Sequence, residues 1–312
     1  MAVTLECLPS TRCRDITTIA LAETGSPVRV KGRVTGPGHG PAIVVLGGIS
    51  SGRIVADSDS ETGWWSCQTG PDRAIDTGRY RVLSFDFIGE ELAPHPSTQD
   101  QARAILALAD AAGIGRFDIA GSSYGAMIAL ALAVLAPDRI GKVLAISGAH
   151  RACAMAQAWR SIQRDTVELA LRLGDGKAGL DLARRLAMTT YRTPEEIEAR
   201  FYDPAPDCRD ASGVAAYLKA RGRDYAETVT PERFLALSHS MDAHCVDVSK
   251  IRCPVTYLAV EEDRLVPLSQ MAEAAAATPM GTLKTLRSRF GHDAFLKEEA
   301  IVSETLMKFL ED

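Results

Sequence analysis

The segment Gly121-Ser122-Ser123-Tyr124-Gly125 restricts the fold of this chain more than any other. It follows a short apolar run, Phe117–Ala120, and opens a helical pattern over Tyr124–Ala136. A G-x-S-x-G string between a strand and a helix is a sharp turn, whose residues two before and two after the serine nearly touch and so must be very small. The central serine is held in a strained backbone conformation, with its hydroxyl projecting beyond the sheet at the N-terminus of the following helix. Ser123 is therefore the candidate nucleophile. An idle serine in a Gly-rich turn is the bland alternative, and Ser122, ahead of the apex, is the weaker candidate.

The rest of the chain supplies the sheet that such a turn requires. Ala42–Leu46 is a continuous apolar run ending in Gly47-Gly48, as a central strand buried on both faces would be. Arg81–Phe87, Phe117–Ala120, Val143–Ser147 and Val255–Val260 follow the same style, Val28–Val34 alternates as an early antiparallel strand would, and Leu283–Leu286 reads as the last strand. Helical patterns cover Thr98–Ala112, Tyr124–Ala136 and Ala294–Leu310. Strands alternating with helices predict an α/β class, a mostly parallel central sheet with helices on both faces. From about His150 to Val246 strand signals vanish, and helical patterns run through Met155–Leu173, Leu180–Met188, Pro194–Phe201, Ala211–Ala220 and Pro231–Met241. The expected organisation is an α/β-hydrolase fold, its core formed by 1–149 and 247–312 and its helical cap inserted at 150–246.

Composition narrows the function classes. With 312 residues, 46% of them apolar, the chain can bury a sizeable core. A net charge of −5 and the lack of a basic stripe argue against nucleic acid as a partner. No window reaches about 18 uncharged apolar residues, so no membrane span is expected. The start, MAVTLECLPSTRCRD, does not read as a signal peptide. Seven cysteines without a C-x-x-C pair fit neither a disulfide framework nor a metal site, which points to a reducing, cytoplasmic setting.

A serine hydroxyl is a poor nucleophile at neutral pH and needs an adjacent base. In this fold the partners follow in the order Ser, acid, His. Of the six histidines only His292 lies after the last strand, whereas His239 and His244 lie in or beside cap helices. The acid is expected on the loop after Val255–Val260, where Asp263 is favoured and Glu261 and Glu262 are the alternatives. Its role is to hold the imidazole tautomer and stabilise the imidazolium. The oxyanion donors should be the backbone N–H groups of Tyr124 and of Ile49, in the loop Gly47-Gly48-Ile49-Ser50.

Further blocks carry a closer resemblance. Gly63-Trp64-Trp65, Gly70-Pro71, Ala74–Val82, Tyr191-Arg192-Thr193 with Arg200-Phe201, and Gly291–Leu296 are together similar to motifs of the homoserine O-acyltransferases, across roughly 41–300. That resemblance implies ping-pong transfer from an acyl-CoA co-substrate to an amino-acid hydroxyl, with no tightly bound cofactor or metal, in a homodimer joined through its cap helices. It implies that Arg184 grips the amino-acid carboxylate, with Tyr191 nearby, and that Asp293 binds the α-ammonium. A zwitterion does need one cation and one anion, and a planar guanidinium suits a carboxylate. The bland alternatives are a helix-face charge for Arg184 and a helix N-cap for Asp293, a role compatible with binding. The run Gly47-Gly48-Ile49-Ser50, with Arg53 soon after, resembles the succinyl-CoA-using subgroup and marks Gly48 and Arg53 as candidates for acyl-donor specificity. The expected reaction is succinyl transfer to homoserine. Acetyl-CoA as donor, serine as acceptor, water as acceptor in an esterase-like hydrolase, and a non-catalytic binding module are the other readings.

Overall fold

The computed structural model describes residues 12–202 and 213–311. Strands β1 (Cys13–Leu21) and β2 (Pro27–Thr35) form an antiparallel hairpin, followed by β3 (Ala42–Leu46). The two short strands β4 (Thr69–Gly70) and β5 (Ile75–Asp76) pair only with each other. Then come β6 (Arg81–Phe85), α1 (Thr98–Ala111), β7 (Phe117–Ser122), α2 (Tyr124–Leu135) and β8 (Ile140–Ile146). Five helices follow: α3 (Ala154–Arg172), α4 (Gly176–Tyr191), α5 (Pro194–Phe201), α6 (Val214–Thr228) and α7 (Pro231–Ala243). The chain returns to the sheet as β9 (Val255–Val260), α8 (Leu268–Ala277) and β10 (Gly281–Leu286), and ends in α9 (Ala294–Lys297) and α10 (Glu299–Glu311).

The eight-stranded main sheet has the order β1-β2-β6-β3-β7-β8-β9-β10, parallel from β6 onward. Its central strands are rich in apolar residues, and β3 is apolar throughout, because both faces are covered. In β3, Val44 and Leu46 pack with α1, α2 and α8, while Ile43 and Val45 pack with α10 on the other face. Strand succession reverses at β3, which has β6 on one side and β7 on the other. Loops leaving the C-terminal ends of β3 and β7 therefore meet at a topological switch point, where open α/β sheets bind ligands.

Several elements depart from the sequence reading. Strand β1 was not expected, because it is an edge strand with Ile19 and Leu21 exposed and only part of one face buried. Helix α8 was also missed; Pro267 precedes it and no side chain caps it. The single C-terminal helix is broken at Glu298, whose backbone leaves the helical region and whose carboxylate accepts the Ser288 hydroxyl at 2.6 Å. Helix α4 begins earlier than expected, at Gly176, and α6 runs on to Thr228. The first two residues of the expected helix Ala211–Ala220 lie outside the described residues. The two ends of the segment holding α3–α7 are tied by a bridge between Arg151 and Cys245.

Candidate active site

The turn between β7 and α2 has the expected strain. Ser123 lies at φ 54° and ψ −117°, a region that non-glycine residues seldom occupy. Neighbouring strands hold it there. The Ser123 N–H donates to the Ile146 carbonyl of β8 at 2.8 Å, and the Gly125 N–H donates to the Gly47 carbonyl after β3 at 2.9 Å. A Cβ on Gly121 would overlap the Gly125 carbonyl, and one on Gly125 would lie 2.5 Å from the Leu46 Cβ. Both glycines are thus required by packing as well as by the turn.

His292 and Asp263 complete a hydrogen-bonded chain. The Ser123 hydroxyl donates to His292 Nε2 at 2.8 Å, and His292 Nδ1–H donates to Asp263 Oδ2 at 2.7 Å. Asp263 Oδ1 accepts the Leu265 and Val266 N–H groups at 2.8 and 3.0 Å, which aims the other oxygen at the imidazole. Burial alone would lower the His292 pKa, but the charge and hydrogen bond of Asp263 outweigh it and the net shift is upward. The alternative carboxylates turn elsewhere: Glu262 accepts the Ser288 N–H at 2.8 Å, and Glu261 lies 3.4 Å from Arg287. The alternative histidines are also apart from Ser123. His244 sits between Thr98 and the Ala149 carbonyl, with its pKa pushed down to about 4 by burial, and His239 stacks on His95.

Ser123 and His292 open on a cavity of about 200 Å³ between the ends of β3 and β7 and helices α3, α4, α6 and α7. Gly48 and Ile49 line it beside the nucleophile; a Cβ on Gly48 would lie 3.8 Å from that of Ser123. Tyr124 is the first residue of α2, so its N–H is one of the helix's uncommitted donors. The Tyr124 hydroxyl bonds Ser240 of α7 at 2.7 Å, and burial raises its pKa. Arg184 and Tyr191, both on α4, line the same cavity. Arg184 lies over the rings of Tyr225 and Tyr191 at 4.7 and 5.3 Å, and pairs with no carboxylate among the described residues. Its guanidinium is held by ring faces with hydrogen-bond donors to spare.

One alternative, the N-cap role of Asp293, and one expectation, the donor role of Arg53, need correction. Asp293 lines the cavity, but its side chain caps no helix. One carboxylate oxygen instead accepts Arg192 Nε–H at 2.8 Å, and Arg192 is 7% exposed. Arg53 does not line the cavity. Its guanidinium donates to Asp86 at 2.7 Å and to Asp15 at 3.5 Å, which places it in a surface ion-pair cluster with Arg33. Sequence reading missed Arg192, Arg160 and Tyr225 at this site. Arg192 stood within the motif Tyr191-Arg192-Thr193 without a role of its own, and Arg160 and Tyr225 looked like ordinary helix residues.

Comparison with known proteins agrees with this geometry. A family described as alpha/beta hydrolase fold matches residues 41–299. A homoserine O-succinyltransferase of Xanthomonas campestris pv. campestris is 42% identical over 87% of this chain and 76% of its own. A homoserine O-acetyltransferase of Thermus thermophilus is 30% identical over 80% of this chain and 72% of its own. Among solved structures, the homoserine O-acetyltransferase of Bacillus anthracis superposes with a TM-score of 0.86 over 98% of this chain and 99% of its own. At 17% identity that superposition speaks for the fold alone.

Proposed function

The chain belongs to the α/β-hydrolase family and, within it, to the homoserine O-acyltransferases, and we propose on that premise that it moves a succinyl group from succinyl-CoA to the hydroxyl of homoserine. The observation that carries the reading is the hydrogen-bonded chain Ser123–His292–Asp263, which opens on the same cavity as Arg184.

In the first half-reaction His292 Nε2 takes the Ser123 proton as Oγ attacks the thioester carbonyl. The N–H groups of Tyr124 and Ile49 hold the oxyanion. Collapse of the tetrahedral species expels the CoA thiolate, which receives the proton from His292. In the second half-reaction His292 takes the proton of the homoserine hydroxyl, which attacks the acyl-serine, and Ser123 leaves with that proton. Asp263 keeps Nδ1 protonated throughout, so that Nε2 is the working nitrogen. Arg184, with Tyr191 beside it, binds the homoserine carboxylate, and Asp293 attracts the ammonium through its cavity face. These contacts favour an amino acid over water as acceptor. Gly48 leaves room for the acyl chain beside Ser123. A second copy of the chain pairs through α3, and acyl-CoA is a co-substrate drawn from the cytoplasm.

A steady-state panel of succinyl-CoA and acetyl-CoA against homoserine and serine tests this. Succinyl-CoA with homoserine should give the highest kcat/KM, by roughly tenfold or more, as expected when a charged hydrogen bond distinguishes the substrates. A higher kcat/KM with acetyl-CoA would move the donor assignment, and faster CoA release without homoserine than with it would make the enzyme a hydrolase.

A further inference from the structure

A succinyl donor carries a carboxylate at its far end, and Arg53 does not reach the cavity to meet it. The cationic side chains on the cavity wall among the described residues are Arg151, Arg160 and Arg184. Arg151 is compensated by Glu273 at 2.9 Å and is partly exposed. Arg184 faces the amino-acid end of the reaction in the reading above. Arg160 differs from both.

Arg160 is 8% exposed, on α3. Its Nε–H donates to Asp242 Oδ1 at 2.5 Å, and its Nη2 is buried with no hydrogen-bond partner. Arg164, one turn further along α3, donates to the other oxygen of Asp242 at 2.7 Å. One carboxylate thus sits between two guanidiniums, leaving one positive charge in excess. His239 adds little positive charge to the group, since burial, Arg164 and His95 push its pKa down against the opposing charges of Glu168 and Asp242. A buried surplus cation with an unmade hydrogen bond is costly unless an anion completes it. Gln163, 5% exposed and also on the cavity wall, adds an amide beside Arg160 on the same helix. The charge of Arg160 is also felt at His292, where it opposes protonation, so it lies within electrostatic reach of the reacting centre.

We infer that the guanidinium of Arg160, on the cavity wall, binds the distal carboxylate of the succinyl group, and so sets the preference for a dicarboxylic acyl donor. The inference rests on the succinyl-transfer reading. It adds a specificity-determining residue to that reading: Arg184 serves the acceptor and Arg160 serves the donor.

The test compares Arg160→Gln and Arg160→Lys with the unaltered enzyme, using succinyl-CoA and acetyl-CoA with homoserine. Arg160→Gln should lower the succinyl-to-acetyl ratio of kcat/KM at least tenfold, and Arg160→Lys should restore part of it. Asp242 keeps Arg164 as a partner in both variants. An equal fall with both donors, or an unchanged ratio, would overturn the inference while leaving succinyl transfer intact. A preference of the unaltered enzyme for acetyl-CoA would instead overturn the succinyl-transfer reading, and the inference with it. Should Arg160→Gln fail to fold, the unaltered enzyme can be given succinamoyl-CoA, the uncharged isostere. At least a tenfold loss relative to succinyl-CoA is expected, and equal use would refute a charge contact.

Discussion

The imidazole of His292 feels two opposed influences. Burial disfavours its charged form, while Asp263 at 2.7 Å favours it more strongly, so its pKa lies above the usual 6.5. Only the neutral ring can take the Ser123 proton. The kcat/KM profile should therefore fall as pH drops through a midpoint above 6.5, and an acid limb centred below 6.5 would contradict this balance. The stability term has the opposite direction: a raised folded-state pKa stabilises below the unfolded value, and that contribution is lost as pH rises through the folded one. Ser123→Ala should abolish acyl transfer and leave the melting curve nearly unchanged, because the turn is held by backbone bonds. Mass spectrometry of the native enzyme mixed with succinyl-CoA should place the adduct on the Ser123 peptide, and an adduct elsewhere would remove Ser123 from the role. Arg184→Ala should still release one burst of CoA, while transfer to homoserine falls by roughly tenfold or more. Transfer at the native rate would reduce Arg184 to a helix-face charge. Asp293→Asn is expected to act twice, since it weakens acceptor binding and removes one of the two charges, with that of Glu196, that compensate buried Arg192. Its melting temperature should drop measurably, a cost that an N-cap role would not have predicted.

Among the elements, the contact between β3 and α2 does most to place the nucleophile. Gly125 meets Leu46 so closely that Gly125→Ala must push α2 away from β3. Overpacking of this kind costs about 1–3 kcal/mol. The displaced turn should also lower kcat, which separates this variant from a remote destabilising substitution. A Gly125→Ala enzyme with native melting temperature and native kcat would show that the turn tolerates a methyl group. Helices α5 and α7 each open on a proline after a capping threonine, and the helical pattern of α3 was legible from its polar and apolar faces. The break between α9 and α10 was not, since it depends on Ser288, ten residues away in sequence, bonding Glu298. Strand β1 was hidden for a related reason: its partner β2 and the single helix beneath it bury too little of it to impose an alternating pattern.

At the scale of the whole molecule, α3 and its C-cap residue Leu173 carry a row of exposed apolar side chains. Met155, Ile162, Leu169 and Leu173 are 57%, 54%, 53% and 77% exposed, at spacings that keep them near one face of the helix. Such a row on an otherwise ordinary surface suits a second copy of the chain. Light scattering at micromolar concentration should give twice the 33.5 kDa chain mass. The double substitution Ile162→Glu with Leu169→Glu should shift the protein to monomer. A native monomer, or a dimer indifferent to both charges, would place the interface elsewhere or remove it. No helix among the described residues is long and apolar enough to cross a membrane.

The sequence by itself determined the local chemistry: the turn that holds Ser123, the buried parallel strands around it, and the only histidine placed after the last strand. These follow from residue type and short-range spacing, which a turn or a strand reads directly. Tertiary structure decided which charged groups meet. Asp263 rather than Glu261 or Glu262 faces His292 because the Leu265 and Val266 amides orient it. Arg53 turns to Asp86, and Asp293 to Arg192, across 33 and 101 residues of sequence. Arg160 stands on the cavity wall only because the fold brings α3 there, sharing Asp242 with Arg164. A long side chain takes its partner from whatever the fold brings within about 3 Å, and hydrogen-bond reach carries no record along the chain.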